Sequence, residues 1–199
     1  MKLQLFSAAA LIAACTACSG GPDINGAWTS TPTRIDNEIA MASDATSVLT
    51  VDFSVPKGAK SGAVTMSAVI NANQPVDSGA TEGFAEPYEV SVTATATISG
   101  QWTYEDDDHD DIVIFLDRST LNVNVDPDGV SYSQNLLTGL QQPQVDSLTA
   151  ATAERWRAAV RSAATAQFIA LDKLDDVKVH DNILSCEVGK RDLTFHRSM

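Results

Sequence analysis

The densest array of ionisable side chains in the chain is the run Glu105-Asp106-Asp107-Asp108-His109-Asp110-Asp111, six carboxylates around one imidazole. Oxygens in that number suit Ca²⁺, which takes six to eight of them. The run lacks the ligand spacing and the central glycine of an EF-hand loop, and adjacent side chains in a turn do not converge. A solvated acidic turn, its repulsion screened by water and salt, accounts for it more simply, so no metal ligand is assigned. His109, His180 and His196 fall in different segments with no HExxH or other paired spacing that would hold zinc. Serine and threonine are abundant, yet Gly-x-Ser-x-Gly is absent and no Ser–His–Asp group stands out. No pair of carboxylates is singled out for glycoside hydrolysis either. The expectation is a non-enzymatic protein with no catalytic residue and no cofactor.

The start of the chain is more specific. In MKLQLFSAAALIAACTACSGG, Lys2 is a one-charge leader and residues 3–14 form a short apolar stretch. That is a secretory signal rather than a membrane span, because roughly 20 apolar residues are needed to cross a bilayer. The cysteines after small residues resemble the lipobox of bacterial lipoproteins. The resemblance implies cleavage before the cysteine and its acylation by palmitate-type chains. Ile12-Ala13-Ala14-Cys15 fits the residue pattern more closely, whereas Cys18 leaves a more ordinary signal length. Cys18 is preferred and Cys15 kept as the alternative; plain secretion after an Ala cleavage explains fewer of the residues. Residues 1–17 then form the signal peptide, residues 18–23 a polar tether, and residues 24–199 one domain. The location implied is the bacterial cell envelope, with a lipid anchor in the membrane and the domain on the periplasmic face or the cell surface.

With Cys18 acylated, Cys186 alone remains, so there is no disulfide framework. It sits in the strand-like run Ile183-Leu184-Ser185-Cys186-Glu187-Val188 and reads as a small buried hydrophobe rather than a reactive thiol, since no His or Lys adjoins it. The formal charge is −13 and becomes more negative once Lys2 is removed. That balance argues against binding nucleic acid or anionic lipid through the surface.

The elements that must position these residues are mostly strands. Residues 100–132 read as four short strands, 101–104, 112–116, 121–125 and 130–132, joined by hairpins. Asp126-Pro127-Asp128-Gly129 supplies turn chemistry: proline presets φ and glycine takes φ > 0. Residues 48–55 and 63–71 alternate apolar and polar, and residues 88–99 do so for longest, with Tyr88, Val90, Val92, Ala94, Ala96 and Ile98 on one face. Residues 31–46 look irregular or weakly helical, and residues 73–87 read as a long Gly/Pro/Asn-rich loop. Residues 147–174 give the strongest helical signal, Ala-rich and free of Gly and Pro, with Asp146 or Ser147 as the cap. Its stripe runs through Trp156, Val160 and Phe168, and Glu154 can pair with Arg157 or Arg161. Three strand-like pieces, 177–180, 183–188 and 192–197, close the chain.

About nine strands in hairpin order with one long helix describe a mainly β protein. Gly26-Ala27-Trp28 in the first strand, Gly100-Gln101-Trp102 midway and Leu193-Thr194-Phe195-His196-Arg197 at the end resemble the lipocalin-like lipoproteins of bacteria. The resemblance implies an antiparallel meander closing into a β-barrel, with a β-sandwich packed by the helix as the alternative. It also implies that Gly26, Trp28 and Arg197 form a structural signature in which Arg197 stacks on the indole. Two features depart from the family: strands follow the helix, and the 73–87 loop has no counterpart. The functional expectation is a carrier of a small apolar ligand or lipid, lined by Tyr88, Val90, Val92, Ala94, Trp102 and Phe115, although Trp102 also fits a purely core role. The alternative is a structural or protein-interaction lipoprotein whose interior is filled by side chains. Interior volume decides between them: if Tyr88, Val90, Val92 and Phe115 interdigitate with the helix face Trp156, Val160 and Phe168, no ligand room remains.

Overall fold

The computed structural model describes residues 21–56, 59–77, 86–105, 109–133 and 140–198. The proposed signal peptide, Cys15, Cys18 and the centre of the acidic run lie outside the described residues. Nine strands form one antiparallel sheet: β1 (Gly26–Ser30), β2 (Thr33–Arg34), β3 (Asp44–Phe53), β4 (Ser61–Val76), β5 (Tyr88–Tyr104), β6 (Ile112–Tyr132), β7 (Lys173–His180), β8 (Ile183–Val188) and β9 (Arg191–Arg197). The order across the sheet is β1-β9-β8-β7-β6-β5-β4-β3-β2, and β1 pairs with β3 as well as with β9. One helix, α1 (Gln142–Ala170), stands between β6 and β7. Among the described residues no helix is long and apolar enough to cross a membrane.

Strict alternation puts one face of the long strands inside. Reading across β3, β4, β5 and β6, the inward rows are Ala45–Ala72–Val92–Val130, Ser47–Ile70–Ala94–Val125 and Leu49–Ala68–Ala96–Val123. The rows below them carry Val51, Met66 and Ile98, then Phe53, Val64 and Gly100. The end at Phe53 and Gly100, where β1 also begins, is the base of the sheet; the end at Ala45 and Val130 is the far end. The inward alanines leave depth on the face, and α1 uses it. At the far end Tyr132 donates its hydroxyl hydrogen to Thr152 (2.9 Å) and Arg155 donates to Gln74 (3.1 Å), and α1 packs chiefly along β6.

The residues read as four short strands form parts of only two. Residues 101–104 complete β5, which runs unbroken from Tyr88, and β6 carries the other three pieces in one line beside it. The turns between them are excursions rather than reversals. Residues 126–129 stand opposite Thr93 alone, between Ala94↔Val125 and Val92↔Val130, and residues 118–121 stand opposite Ile98 alone. Local chemistry closes each: the Asp128 amide donates to the Asp126 carboxylate (3.0 Å), and the Ser119 amide and hydroxyl donate to that of Asp117 (2.9 and 2.6 Å). Thr120 accepts the Ser99 amide at 2.9 Å in place of the missing ladder partner. Each bulge substitutes five steps of β6 for two of β5, which keeps Val123, Val125 and Val130 all inward.

Element boundaries also move. The helix begins at Gln142, capped by Gln141 in a reciprocal capping box with Gln144, with Pro143 in the first turn where its missing amide costs nothing. It ends at Ala170, so residues 171–174 belong to the turn and to β7 rather than to the helix. Residues 31–46 contain β2, a 3-10 turn at Asp36–Glu38 and the start of β3, and the first residues assigned to the 73–87 loop extend β4 to Val76. Residues 21–23, read as tether, pack against the base of the sheet, as described below.

Candidate functional site

The signature residues converge at the base. Gly26 has φ of 101°, a conformation L side chains resist, and it lets β1 turn into the sheet. Trp28 is fully buried, donates its indole N–H to the Ile24 carbonyl (2.7 Å) and stands directly opposite Arg197. The Arg197 guanidinium lies 4.3 Å from the centre of the Trp28 ring and donates to the carbonyls of Asn25 (2.8 Å) and Asp23 (3.2 Å). One planar cation thereby ties β9 to β1 and to the segment before it. Arg197→Ala is expected to lower unfolding free energy by about 2 kcal/mol, and Lys to restore less than half of it, because an ammonium cannot stack and bridge two carbonyls together. Urea midpoints of the two variants check this.

Tyr88, Val90, Val92, Ala94 and Trp102 all lie on the inner face and are buried. Phe115 does not join them. It is 62% exposed, on the opposite face, because Ile114 and Ile112 take the inward positions of β6 and strand parity overrides the hydrophobicity of a single ring. Trp102 is a core residue, edge-on to Phe53 (6.1 Å) and to Tyr104 (5.2 Å), with its indole N–H directed at the Ser54 carbonyl (3.3 Å). The inner face is occupied rather than open: Trp156, Val160, Ala164 and Phe168 of α1 are completely inaccessible and belong to the same buried cluster as the sheet. Among the described residues, two buried polar atoms have no hydrogen-bond partner, Ser47 Oγ and Trp156 Nε1. The strand pattern contained the signal for Ser47, since extending the face of Leu49, Val51 and Phe53 backward by two places it inward. Nothing in the sequence marked the Trp156 indole as unpaired.

At the base, the described part of the acidic run is organised by one lysine. Lys173 Nζ lies 2.6 Å from Glu105, 3.0 Å from Asp175 and 3.9 Å from Asp111. The Glu105 carboxylate, then that of Asp175, hold its pKa well above the ordinary lysine value. The Glu105 amide donates to the Asp111 carbonyl (3.0 Å), closing the β5–β6 connection, and His109, in left-handed conformation (φ 60°), stands edge-on to Tyr104 at 4.9 Å. His180, at the exposed end of β7, faces Asp181 (3.0 Å), and His196 lies on β9, so the structure does not bring the three histidines together. Among the described residues no group of three or more His, Cys, Asp or Glu side chains is placed to hold a metal ion. On α1, Glu154 pairs with Arg157.

Two shallow open grooves lie among the described residues. One, of about 260 Å³, lies where β9 parts from β1 and β3 and is lined by Ser30, Thr33, Leu49, Asp192, Leu193 and Phe195 among others. The other, of about 180 Å³, runs over β7–β9 past Asp176, Lys178, Glu187 and Cys186. Cys186 is buried, and burial, helped by Asp175, pushes its thiol up to about 12. A thiol kept neutral in the fold stabilises it fully below the unfolded-state value of about 8.5, and that contribution is lost as pH rises towards the folded value. Urea midpoints are therefore expected to fall between pH 8.5 and 10.5, and to fall less in Cys186→Ala, which separates the thiol from Tyr104 and Tyr132, both raised by burial. No protein-family model, curated protein or solved structure matches the chain.

Proposed function

We propose that the protein is a lipid-anchored, non-catalytic component of the bacterial cell envelope that acts through its outer surface, with its interior committed to its own helix. In this reading the pairings of β1 with β3 and with β9 join the ends of the strand order, so that eight strands close into a lipocalin-like barrel around the base. The stacking of Arg197 on Trp28 supports the likeness. One observation carries the choice of function: the face on which a ligand would sit lies under α1, whose Trp156, Val160 and Phe168 are wholly inaccessible. Acylation at Cys18, or at Cys15, supplies the membrane partner, and an envelope protein is the other partner expected.

One observation favours a second reading, in which α1 and the sheet hold a small apolar molecule between them. Ser47 Oγ and Trp156 Nε1 are buried without partners, and a lipid carbonyl or carboxylate could accept from such donors. Native mass spectrometry of the acylated protein, before and after exposure to a panel of fatty acids and sterols, separates the two. The surface reading expects the mass of the acylated chain alone. A discrete further mass that leaves on denaturation would establish the carrier and overturn it.

A further inference from the structure

We propose that the base of the sheet faces the membrane, held there by a leash too short for the body to turn over. The proposal rests on the anchored reading above and adds an orientation and a lipid-facing surface to it. Residue 21 already touches the fold: a Cβ on Gly21 would lie 2.6 Å from His109 Cβ and 2.8 Å from the His109 carbonyl, so the main chain there presses on the β5–β6 connection. The next residues are held in turn. The Tyr104 hydroxyl donates to the Pro22 carbonyl (3.3 Å), Arg197 donates to the Asp23 carbonyl (3.2 Å), and Ile24 is buried with its carbonyl taken by the Trp28 indole.

Cys18 stands three residues before Gly21 and Cys15 six, so at about 3.5 Å per residue the leash reaches no more than ~10 or ~20 Å. The body is much longer. β5 has seventeen residues from Tyr88 to Tyr104, about 55 Å at ~3.3 Å per residue. Whichever cysteine carries the lipid, the leash is less than half the length of the strand whose base it adjoins. The β5–β6 connection and the start of β4 therefore stay close to the headgroups, and the ends of β4 and β6 point away from the anchoring membrane towards any envelope partner.

Energy transfer to a labelled bilayer tests this. Acylated full-length protein is isolated from bacterial membranes and reconstituted into phosphatidylcholine vesicles carrying a headgroup acceptor dye. The donor sits on Ser61→Cys, exposed at the base, or on Glu89→Cys, exposed at the far end. Transfer from the Ser61 position is expected to exceed that from the Glu89 position by at least about two-fold, and inserting about ten Gly/Ser residues between Gly20 and Gly21 should shrink the difference. Equal transfer from an acylated protein, or greater transfer from Glu89, overturns the orientation and leaves the anchor standing. An intact mass without acyl chains, in protein that does not float with vesicles, overturns the anchor and the orientation together.

Discussion

Trp156→Ala is expected to lower unfolding free energy by about 3–5 kcal/mol, the range for deleting a fully buried Trp. Against a total of roughly 5–15 kcal/mol for a domain, that loss removes about a third to a half of a mid-range stability. The physical reason is position: Trp156 is inaccessible within the buried cluster that joins α1 to the sheet, and packed neighbours relax only partly into the volume it leaves. Trp156→Phe makes the argument sharper. It keeps most of the apolar volume and deletes an indole N–H that has no partner, so the relief of an unpaired donor offsets much of the lost packing. It is expected to cost about 1 kcal/mol or less. Trp102→Phe loses a donor bonded to the Ser54 carbonyl and is expected to cost more than Trp156→Phe. Urea unfolding followed by circular dichroism ranks the three.

The second large effect belongs to two glycines whose side-chain positions are already taken by neighbouring backbone. A Cβ on Gly62 would fall inside contact distance of the Ser54 carbonyl and 2.8 Å from the Trp102 indole nitrogen. One on Gly100 would run into the Phe115 carbonyl and approach Leu116 Cα to 3.0 Å. The Ser54 carbonyl, one residue past β3 in a segment bonded to Ala63, and the Phe115 carbonyl on β6 cannot rotate away, so each Gly→Ala change must push two paired backbone segments apart. Losses above about 3 kcal/mol are expected for both, since added atoms in a packed interior cost ~1–3 kcal/mol even where side chains can yield. Gly189→Ala is the control: its φ is 64° but nothing lies within 4 Å of the added atom, so only the conformational penalty, ~1–2 kcal/mol, remains. Thermal midpoints of the three variants distinguish lack of space from backbone strain.

The sequence carried the sheet well wherever one face had to be buried. Period-2 runs in β3, β4 and β5 and the burial of Cys186 follow from local pattern, whereas the cap expected at Asp146 or Ser147 lies inside a helix that already starts at Gln142. It misled where the deciding contact was non-local. Asp-Pro-Asp-Gly has the same chemistry in a hairpin turn and in a bulge; which of the two forms depends on whether the flanking segments pair with each other or share a neighbour, and here both pair with β5. Phe115 was misplaced for a related reason, since its face follows from the parity of Ile112 and Ile114 and not from its own hydrophobicity. The tether was misread because Gly21-Pro22-Asp23 is polar and small, and only the distant Tyr104, His109 and Arg197 reveal that it packs. For the candidate site, the inward, buried placement of Tyr88, Val90, Val92, Ala94 and Trp102 was legible. That α1 takes the space they enclose was one of two outcomes the small Ala94 and Ala96 allowed.

Whether α1 is a permanent part of the core or a removable cover is the claim on which the functional reading turns, and hydrogen exchange measures it directly. If the helix is integral, amides of residues 153–168 exchange only through global unfolding, with the same free energy as the central residues of β4 and β5 and the same denaturant dependence. Helix amides that exchange through a cheaper opening while the strands stay protected would contradict the account, and would identify α1 as a cover over a ligand-sized face.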